Sequence, residues 1–288
     1  MSDFLGSDSA YSLVQLANGT TSIRSLAEGE TFHPVIGPVA EAETLYVRQL
    51  NLVERVTQAG KNDFVIWDVG LGSAANVTTA LRHLGALEGR VRIVSFDHTL
   101  APLRFARTHA SELGYPLGFE RPIDSLLKCQ SARFRHGCLE VEWEVQVADF
   151  PTIMAGATPL PAPSAIFFDA YSPKRNPSMW TLPLFRCLKA RLDPLRPCAL
   201  ATYSRATLVR VTLLSAGFWV GAGEATGEKE ETTVAACGPC LISRPLDAVW
   251  LGRAGRSTSA EPFLEPIYRQ EPCSPATLSL LRAHPQFA

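Results

Sequence analysis

The sequence lacks three features that would narrow its function at once: a long hydrophobic run, a surplus of charge and a regular set of cysteines. No apolar stretch approaches the roughly 20 residues that a membrane-spanning helix needs. The opening residues, MSDFLGSDSAYS, show no basic region followed by an apolar one. Because 46% of the 288 residues are hydrophobic, the chain can bury a full core. We therefore expect a globular protein of the bacterial or cytosolic type, with a cytoplasmic location.

The charges nearly cancel, with 27 Lys and Arg against 28 Asp and Glu, so a nucleic acid would have to bind to a local patch. The seven cysteines are irregularly spaced, which is typical of buried residues in a reducing compartment. The one close pair, Cys237 and Cys240 in CGPC, has no second pair and no nearby His, so it is a weak zinc signal. It also follows a predicted strand, whereas a redox motif opens a helix. We expect a structural role for it and no metal site.

The most informative stretch is SAIFFDAYSPKRNPSMW, residues 164–180. Its four apolar residues before Asp169 are typical of a central strand covered on both faces. After Asp169 come Pro173, Asn176 and Pro177, which forbid regular structure. Met179 and Trp180 follow, and their apolar side chains can anchor the loop to the rest of the domain. Asp169 is therefore predicted at a strand end of an open α/β sheet, where ligands usually bind. A simple loop cap is the alternative reading.

A second unit begins with the apolar run DFVIWDVG, which contains Asp68. It leads through Gly70 and Gly72 into a helical pattern with Asn76 near its start. This order predicts strand, glycine turn and helix. Glycines at such a turn let the backbone approach a ligand, although a bare G-x-G is equally consistent with a tight turn.

The next predicted strand, Val91 to Phe96, ends at Asp97, where an acidic side chain can accept both hydroxyls of a ribose. Asp68 would repel a pyrophosphate but could meet the ammonium of an amino-acid group. Ala75 fills the place of the third glycine of a dinucleotide-binding turn. S-adenosylmethionine carries such an ammonium and NAD does not, so the pattern favours S-adenosylmethionine as the cofactor.

The remaining patterns complete an α/β order. LEVEWEVQVADF alternates polar and apolar residues, which predicts a strand leading to Asp149. About seven strands alternate with helices and finish in a hairpin, as in the Rossmann-like, doubly wound sheet of S-adenosylmethionine-dependent methyltransferases. A β-hairpin around Asn18-Gly19 and an amphipathic helix from about Val39 precede this sheet.

Three regions follow from these patterns. Residues 1–58 are predicted to form a hairpin and helix packed on the main domain, and residues 59–243 the methyltransferase domain. Residues 244–288 are predicted to be a loosely packed extension, because they are rich in Pro, Ser and Arg.

With these residues in place, the chain resembles the bacterial tRNA wobble-uridine methyltransferases that complete 5-methylaminomethyl-2-thiouridine. They occur as the methyltransferase half of the bifunctional MnmC enzymes and as stand-alone MnmD proteins. Their D-x-[FY]-[AS]-P-x-[KR]-N-P-x-M-W loop is matched by Asp169, Tyr171, Ser172, Pro173, Arg175, Asn176, Pro177, Met179 and Trp180. Their glycine turn, G-F-G-T-G-x-N, is approximated by Gly70, Leu71, Gly72, Ser73, Ala74 and Asn76. Their N-terminal pattern is a glycine hairpin, G-E-x-[YF]-H and an acidic helix start. It is matched by Asn18-Gly19, by Gly29, Glu30, Phe32 and His33, and by Glu41 to Glu43.

The likeness runs from about Gly19 to Ala236 and includes three departures. Ala74 replaces a glycine, and Arg175 stands where the bifunctional enzymes have Lys. In the segment 227–235, Glu230 replaces an Arg of the family's basic G-x-K-R-E pattern, which removes positive charge from a region expected to face RNA.

The resemblance implies methylation of the aminomethyl group of wobble uridine, with tRNA bound through its anticodon loop. It implies a functional link to a separate FAD-dependent tRNA-modifying oxidoreductase. Asp169 would be the catalytic residue, and the cofactor-binding residues would be Asp68, Gly70, Gly72, Asn76, Asp97 and Asp149. The substrate-binding residues would be His33, Tyr171, Lys174, Arg175 and Trp180.

Some of these roles have alternatives. Tyr171 and Trp180 are equally consistent with core packing, and His33, taken alone, with a surface position. The balanced charge leaves open a methyltransferase that acts on a small amine. The altered glycine turn and Glu230 leave open a non-catalytic cofactor-binding or RNA-binding relative.

Overall fold

The computed structural model of this chain describes residues 10–227 and 230–288. The opening segment and the residues at 228 and 229, in the predicted basic pattern, lie outside the described residues. The chain divides into two units, Met1–Asp149 with Ala225–Glu230 and Phe150–Glu224 with Glu231–Ala288. No helix in the described ranges has the length and apolar character required to cross a membrane. The predicted boundaries at 58 and 243 stay a prediction.

The first unit contains four strands of the mixed central sheet, in the order β5-β6-β4-β3. They are β3 (Phe64–Val69), β4 (Gly89–Asp97), β5 (Ser131–His136) and β6 (Leu139–Val147). β4 is parallel to both β3 and β6, whereas β5 is antiparallel to β6. All residues of β3 are buried, as expected for a strand covered on both faces.

The second unit contains the other four strands of this sheet, in the order β7-β8-β10-β9. They are β7 (Ala165–Phe168), β8 (Ala199–Thr202), β9 (Trp219–Gly223) and β10 (Thr232–Ala236). β7 and β8 are parallel, and β10 is antiparallel to both of its neighbours. The predicted closing hairpin is therefore confirmed as β9 and β10. The sheet has eight strands where about seven were predicted, because the edge strand β5 carries mostly polar and partly exposed residues that gave no clear strand pattern.

The predicted N-terminal hairpin is confirmed as β1 (Tyr11–Gln15) and β2 (Thr21–Ser25). Gly19 takes the predicted positive φ, +81°, in its turn. The single amphipathic helix predicted from about Val39 is wrong. It is divided into α1 (Pro38–Ala42), a π-helical turn at Glu43–Arg48 and α2 (Leu52–Ala59). Asn51 breaks the run with a left-handed backbone at φ 49°.

The helices α1 and α2 are followed in the first unit by α3 (Ala75–Leu84), α4 (Ala101–Thr108), α5 (Ala110–Leu113) and α6 (Glu120–Cys129). The second unit contains α7 (Phe150–Ala155), a 3-10 turn (Pro177–Trp180), α8 (Leu182–Ala190), α9 (Thr207–Ser215), α10 (Ala248–Ala254) and α11 (Pro275–Arg282). The predicted helix after the glycine turn is confirmed as α3. The CGPC motif follows β10 and forms only a short 3-10 turn at Pro239–Leu241.

The prediction that residues 244–288 pack loosely is wrong. Leu246 donates its N–H to the Val220 carbonyl at 3.0 Å. The Gln286 side-chain amide donates to the carbonyl oxygens of Val220 and Leu246 at 2.7 and 2.9 Å. The edge strand β9 thereby gains partners for its backbone groups. The segment also buries Leu246, Trp250, Ala254, Ala260, Phe263 and Leu281, which its overall composition does not reveal.

The turn between β5 and β6 generates a stability prediction. An alanine Cβ at Gly137, where φ is +60°, would lie 2.1 Å from the Gly85 carbonyl oxygen. At Gly217, where φ is +86°, no heavy atom lies within 4 Å of the same position. Gly217→Ala should lose only the cost of a left-handed backbone, about 1–2 kcal/mol. Gly137→Ala should lose at least about 2 kcal/mol more, because backbone has to move. Urea unfolding measures both, and equal losses would contradict this account.

Candidate active site

The glycine turn lies at the carboxyl end of β3 and is fixed by the end of β4. The N–H groups of Gly70 and Leu71 both donate to the Phe96 carbonyl oxygen, at 2.9 and 3.1 Å. Gly70 and Gly72 have φ values of +95° and +50°. Ala74 also has a left-handed φ, +65°, at the start of α3. An alanine pays about 1–2 kcal/mol for this conformation, which gives a physical reason for the glycine that the resembling family has there.

Asp97 is an acidic group that bonds directly to this turn. Its Oδ2 accepts the Gly72 N–H at 2.9 Å, and its Oδ1 accepts the Thr99 N–H at 3.2 Å. The His98 Nδ1 lies 3.2 Å from Oδ1, and this hydrogen bond raises the pKa of His98. Each carboxylate oxygen can accept about two hydrogen bonds, so Thr99 and His98 fill Oδ1, and Oδ2 keeps one acceptor position beside the Gly72 N–H. Asp97 can therefore accept one ribose hydroxyl at Oδ2, and a second one at Oδ1 in place of His98.

Asp68 is fully buried. Its Oδ2 accepts the Ser95 hydroxyl at 2.7 Å, and Ser95 Oγ accepts the Trp143 indole N–H at 2.9 Å. The predicted direct contact between Asp68 and a ligand ammonium is therefore not what this geometry supports, because the carboxylate has no accessible surface. Its charge can act on a ligand only through the field next to the glycine turn.

Two further cofactor candidates lie at the same edge of the first unit. Asn76 is buried in the first turn of α3. Asp149 is exposed just after β6, and the N–H of the preceding Ala148 donates to the Asp97 carbonyl at 2.9 Å. Since β3, β4 and β6 are parallel, their carboxyl ends share one edge, where open α/β sheets bind ligands.

His33 is not a surface residue. Its side chain is 9% exposed, and its Nδ1 lies 3.8 Å from Oε2 of Glu41, a buried acid of the predicted acidic helix start. The backbone of His33 is left-handed, with φ 48°. A positive φ in a residue other than glycine stores strain and is enriched at functional sites. Its predicted contact with substrate stays a prediction.

In the second unit, Asp169 follows β7 directly and is partly buried. The loop after it is folded on itself, since the N–H groups of Arg175 and Asn176 both donate to the Ser172 carbonyl at 2.9 Å. Lys174 and Arg175 are exposed. Two cations are thus held on the surface of a fixed loop.

Trp180 anchors that loop. The side chain is 1% exposed, and the indole N–H donates to the Tyr171 carbonyl at 2.8 Å. The ring lies 5.2 Å from the Phe168 ring and 6.3 Å from that of Tyr203. The Tyr203 hydroxyl donates to the Ala170 carbonyl at 3.0 Å. Of the two roles that the sequence left open for Trp180, this geometry supports packing, because a buried ring presents no face to a base.

The sequence analysis missed three residues that support these sites: Ser95, Trp143 and Tyr203. Ser95 carried a usable signal, since it is a polar residue in the apolar second half of its strand. Trp143 in β6 and Tyr203 just after β8 carried none, because aromatic residues are common in strands.

Comparison with known proteins gives the chemistry of this arrangement. A family model described as S-adenosyl-L-methionine-dependent methyltransferase matches residues 124–237. This match covers less than half of the chain and supports the predicted enzyme class, an S-adenosyl-L-methionine-dependent methyltransferase. The predicted cofactor is thereby confirmed as S-adenosyl-L-methionine.

This methyltransferase is similar to two bifunctional tRNA 5-methylaminomethyl-2-thiouridine biosynthesis proteins MnmC. It is 29% identical to that of Cupriavidus metallidurans over 78% of this chain and 34% of the relative. It is 28% identical to that of Methylibium petroleiphilum over 81% of this chain and 35% of the relative. The chain thus spans about a third of the length of these relatives. The predicted resemblance to the MnmC methyltransferase family is confirmed.

Solved structures confirm the predicted fold class. MnmC2 from Aquifex aeolicus matches with a TM-score of 0.68 at 23% identity, over 94% of this chain and 82% of that chain. Spermidine synthase from Thermotoga maritima matches with a TM-score of 0.53 at 12% identity, over 94% of this chain and 84% of that chain.

The residues of the first unit fit the cofactor. Gly70 and Gly72 present backbone without side chains, and Asp97 offers carboxylate oxygens at 10% side-chain exposure. Among the described residues, no group of His, Cys, Asp and Glu side chains is placed to hold a metal ion.

The placement of Asp97 generates a binding prediction. Asp97→Ala should weaken binding of the demethylated cofactor by about tenfold or more, since a hydrogen bond to a charged group contributes about 1.5–3 kcal/mol. Asp63→Ala is the matched control, because Asp63 is a surface acid of the same unit paired with Arg90 at 3.4 Å. Isothermal titration measures both variants, after melting curves confirm folding. Equal affinity in the two variants would contradict the assignment.

Proposed function

We propose that this methyltransferase methylates the aminomethyl nitrogen of the wobble uridine in tRNA, converting 5-aminomethyl-(2-thio)uridine to 5-methylaminomethyl-(2-thio)uridine. The proposal rests on the loop after β7. Asp169 opens this loop, and the residues that follow it match the most specific sequence motif of the tRNA methyltransferase family that the chain resembles. The names of the relatives from Cupriavidus metallidurans and Methylibium petroleiphilum support the same reaction.

S-adenosyl-L-methionine supplies a methyl group that is already activated on a positively charged sulfur. The protein has to orient the amine, keep it unprotonated and exclude water. An alkylamine has a reference pKa near that of Lys, about 10.4, whereas Asp titrates near about 3.9. Asp169 is therefore too weak a base in water to hold the amine's proton. We assign it as the acceptor that orients the amine and stabilises the ammonium that forms on nitrogen.

The loop also offers contacts for RNA. Lys174 and Arg175 are exposed on it and can contact phosphates. Tyr171 is partly exposed and can stack on an extruded base. The anticodon loop as the bound region, and a separate FAD-dependent oxidoreductase as a functional partner, rest on the family resemblance. A cytoplasmic location stays a prediction.

A methyltransferase acting on a small amine is the second candidate, because the chain has no basic surplus. Mass spectrometry of tRNA nucleosides from a deletion strain separates the two. Accumulation of the unmethylated aminomethyl nucleoside is expected from the proposed function. An unchanged nucleoside profile would contradict it and favour the small amine.

Asp169 generates the catalytic prediction. Asp169→Ala should leave cofactor affinity nearly intact while methyl transfer to tRNA carrying aminomethyluridine falls by several orders of magnitude. An interaction made mainly in the transition state appears in turnover rather than in binding. Asp169→Asn keeps an acceptor oxygen without the charge, so its activity should lie between those of Ala and the native residue. Transfer of labelled methyl measures turnover.

The control for this prediction is Asp193→Ala. Asp193 is a loop-capping acid of the same unit, and its Oδ1 accepts the Leu195 N–H at 2.9 Å. It should lose some stability and keep full turnover. If Asp169→Ala behaves like Asp193→Ala, Asp169 is only a cap, and the catalytic assignment fails.

A further inference from the structure

Two aromatic residues of the N-terminal segment lie beside the glycine turn. Phe32 is fixed to β2, because its N–H donates to the Ile23 carbonyl at 2.8 Å and its carbonyl accepts the Ser22 hydroxyl. The edge of its ring is 3.5 Å from the position that a Cβ on Gly72 would occupy. The Tyr11 ring at the start of β1 is centred 6.5 Å from the Phe32 ring. The hairpin therefore borders the part of the turn that bonds to Asp97.

The Tyr11 ring is held on its other side by α4. Its centroid lies 5.9 Å from that of Phe105, a buried residue of this helix. Tyr11 remains partly exposed. It thus sits at the rim of an apolar cluster, in a fixed position that solvent or a ligand can reach.

The Tyr11 phenol lies within electrostatic range of the acidic end of β4. Burial raises the pKa of Tyr11, and the carboxylates of Asp97 and Glu28 raise it further. Glu28 is brought here by the hairpin, since its N–H donates to the Ser25 hydroxyl oxygen at 3.3 Å and Ser25 is the strand partner of Tyr11. The phenol consequently stays protonated at neutral pH and remains a hydrogen-bond donor beside Asp97.

This donor is unused. Among the described residues, the Tyr11 hydroxyl makes no hydrogen bond to protein, although a carboxylate lies close enough to shift its pKa. Packing against Phe32 and Phe105 would be served equally well by a phenylalanine. A partly exposed hydroxyl near the predicted ribose acceptor can donate to a ligand oxygen in place of water.

We infer that Tyr11 contacts the ribose end of the cofactor beside Asp97, so that the N-terminal hairpin forms one wall of the cofactor site. Asp97 accepts hydrogen bonds from the ribose and Tyr11 donates one to it, while the aromatic rings of Tyr11 and Phe32 exclude water from this end. The inference goes beyond the proposed function, because it holds for any amine that the enzyme methylates. It also gives the hairpin a role in binding.

Titration of the demethylated cofactor into the full chain tests this inference. Tyr11→Phe keeps the ring and removes the hydroxyl, so binding should weaken roughly threefold to tenfold, the equivalent of one hydrogen bond. Tyr11→Ala removes both and should weaken binding more than Tyr11→Phe. The matched control is Tyr268, a partly buried tyrosine of the second unit whose ring lies 5.8 Å from that of Phe263. Tyr268→Phe and Tyr268→Ala should bind like the native chain.

A double-mutant cycle separates contact with the ligand from support of the fold. If Tyr11 and Asp97 hold the same ribose, the losses of affinity in Tyr11→Phe and Asp97→Asn should not add in the double variant. Additive losses, or native affinity in Tyr11→Phe, would overturn the inference. If Tyr11→Ala fails to fold in melting curves, Tyr11→Phe and the cycle still decide. No RNA is present, so a negative result here leaves the proposed tRNA substrate untouched.

Discussion

The first unit depends on one buried chain of hydrogen bonds, from Trp143 through Ser95 to Asp68. A hydroxyl has a single proton, and here it is donated to the carboxylate, so the oxygen lone pair is left to accept the indole N–H. The direction of the chain is therefore fixed. Because its members come from β6, β4 and β3, it ties three adjacent parallel strands in one register. A buried carboxylate is costly without such donors, so slippage of any strand would be penalised.

This register determines where the chemistry lies. With the three strands aligned, Gly70, Asp97 and Asp149 emerge at the same edge. Asp97 accepts the Gly72 and Thr99 N–H groups and pairs with His98, and in its predicted role it also accepts a ribose hydroxyl. These contacts are compatible because a carboxylate has about four acceptor positions. Turn geometry and cofactor affinity should consequently be coupled through this one side chain.

The sequence predicted the features that rest on local patterns. Apolar runs marked β3 and β7, Asn18-Gly19 marked the hairpin, and the glycines marked the turn. The features that it missed depend on contacts between distant residues. Asp68 looked like a ligand contact because the sequence does not show that its side chain is buried and bonded to Ser95, which lies 27 residues away. Trp180 was ambiguous for a similar reason, since only the fold shows which rings surround it.

Errors in the helices and termini have related causes. The polar β5 becomes a strand only because β6 offers an edge to pair with. Asn51 ends a helical run through its left-handed backbone, which the spacing of apolar residues does not record. The overall composition of residues 244–288 is polar because their few buried apolar residues are separated by many polar ones. Composition alone therefore hides the packing of this segment.

In its proposed catalytic role, the carboxylate of Asp169 needs neighbouring residues that do no chemistry. Electrostatic stabilisation of a forming charge is efficient only when the acceptor is already in place, because moving it during the reaction costs free energy. Asp169 comes from a β-strand on one side and a loop on the other. The loop would be mobile without the Trp180 bond to Tyr171 and the Tyr203 bond to Ala170. These two hydrogen bonds fix the backbone of Ala170 and Tyr171, the residues directly after Asp169. The carboxylate of Asp169 is therefore held between the strand on one side and a fixed loop on the other.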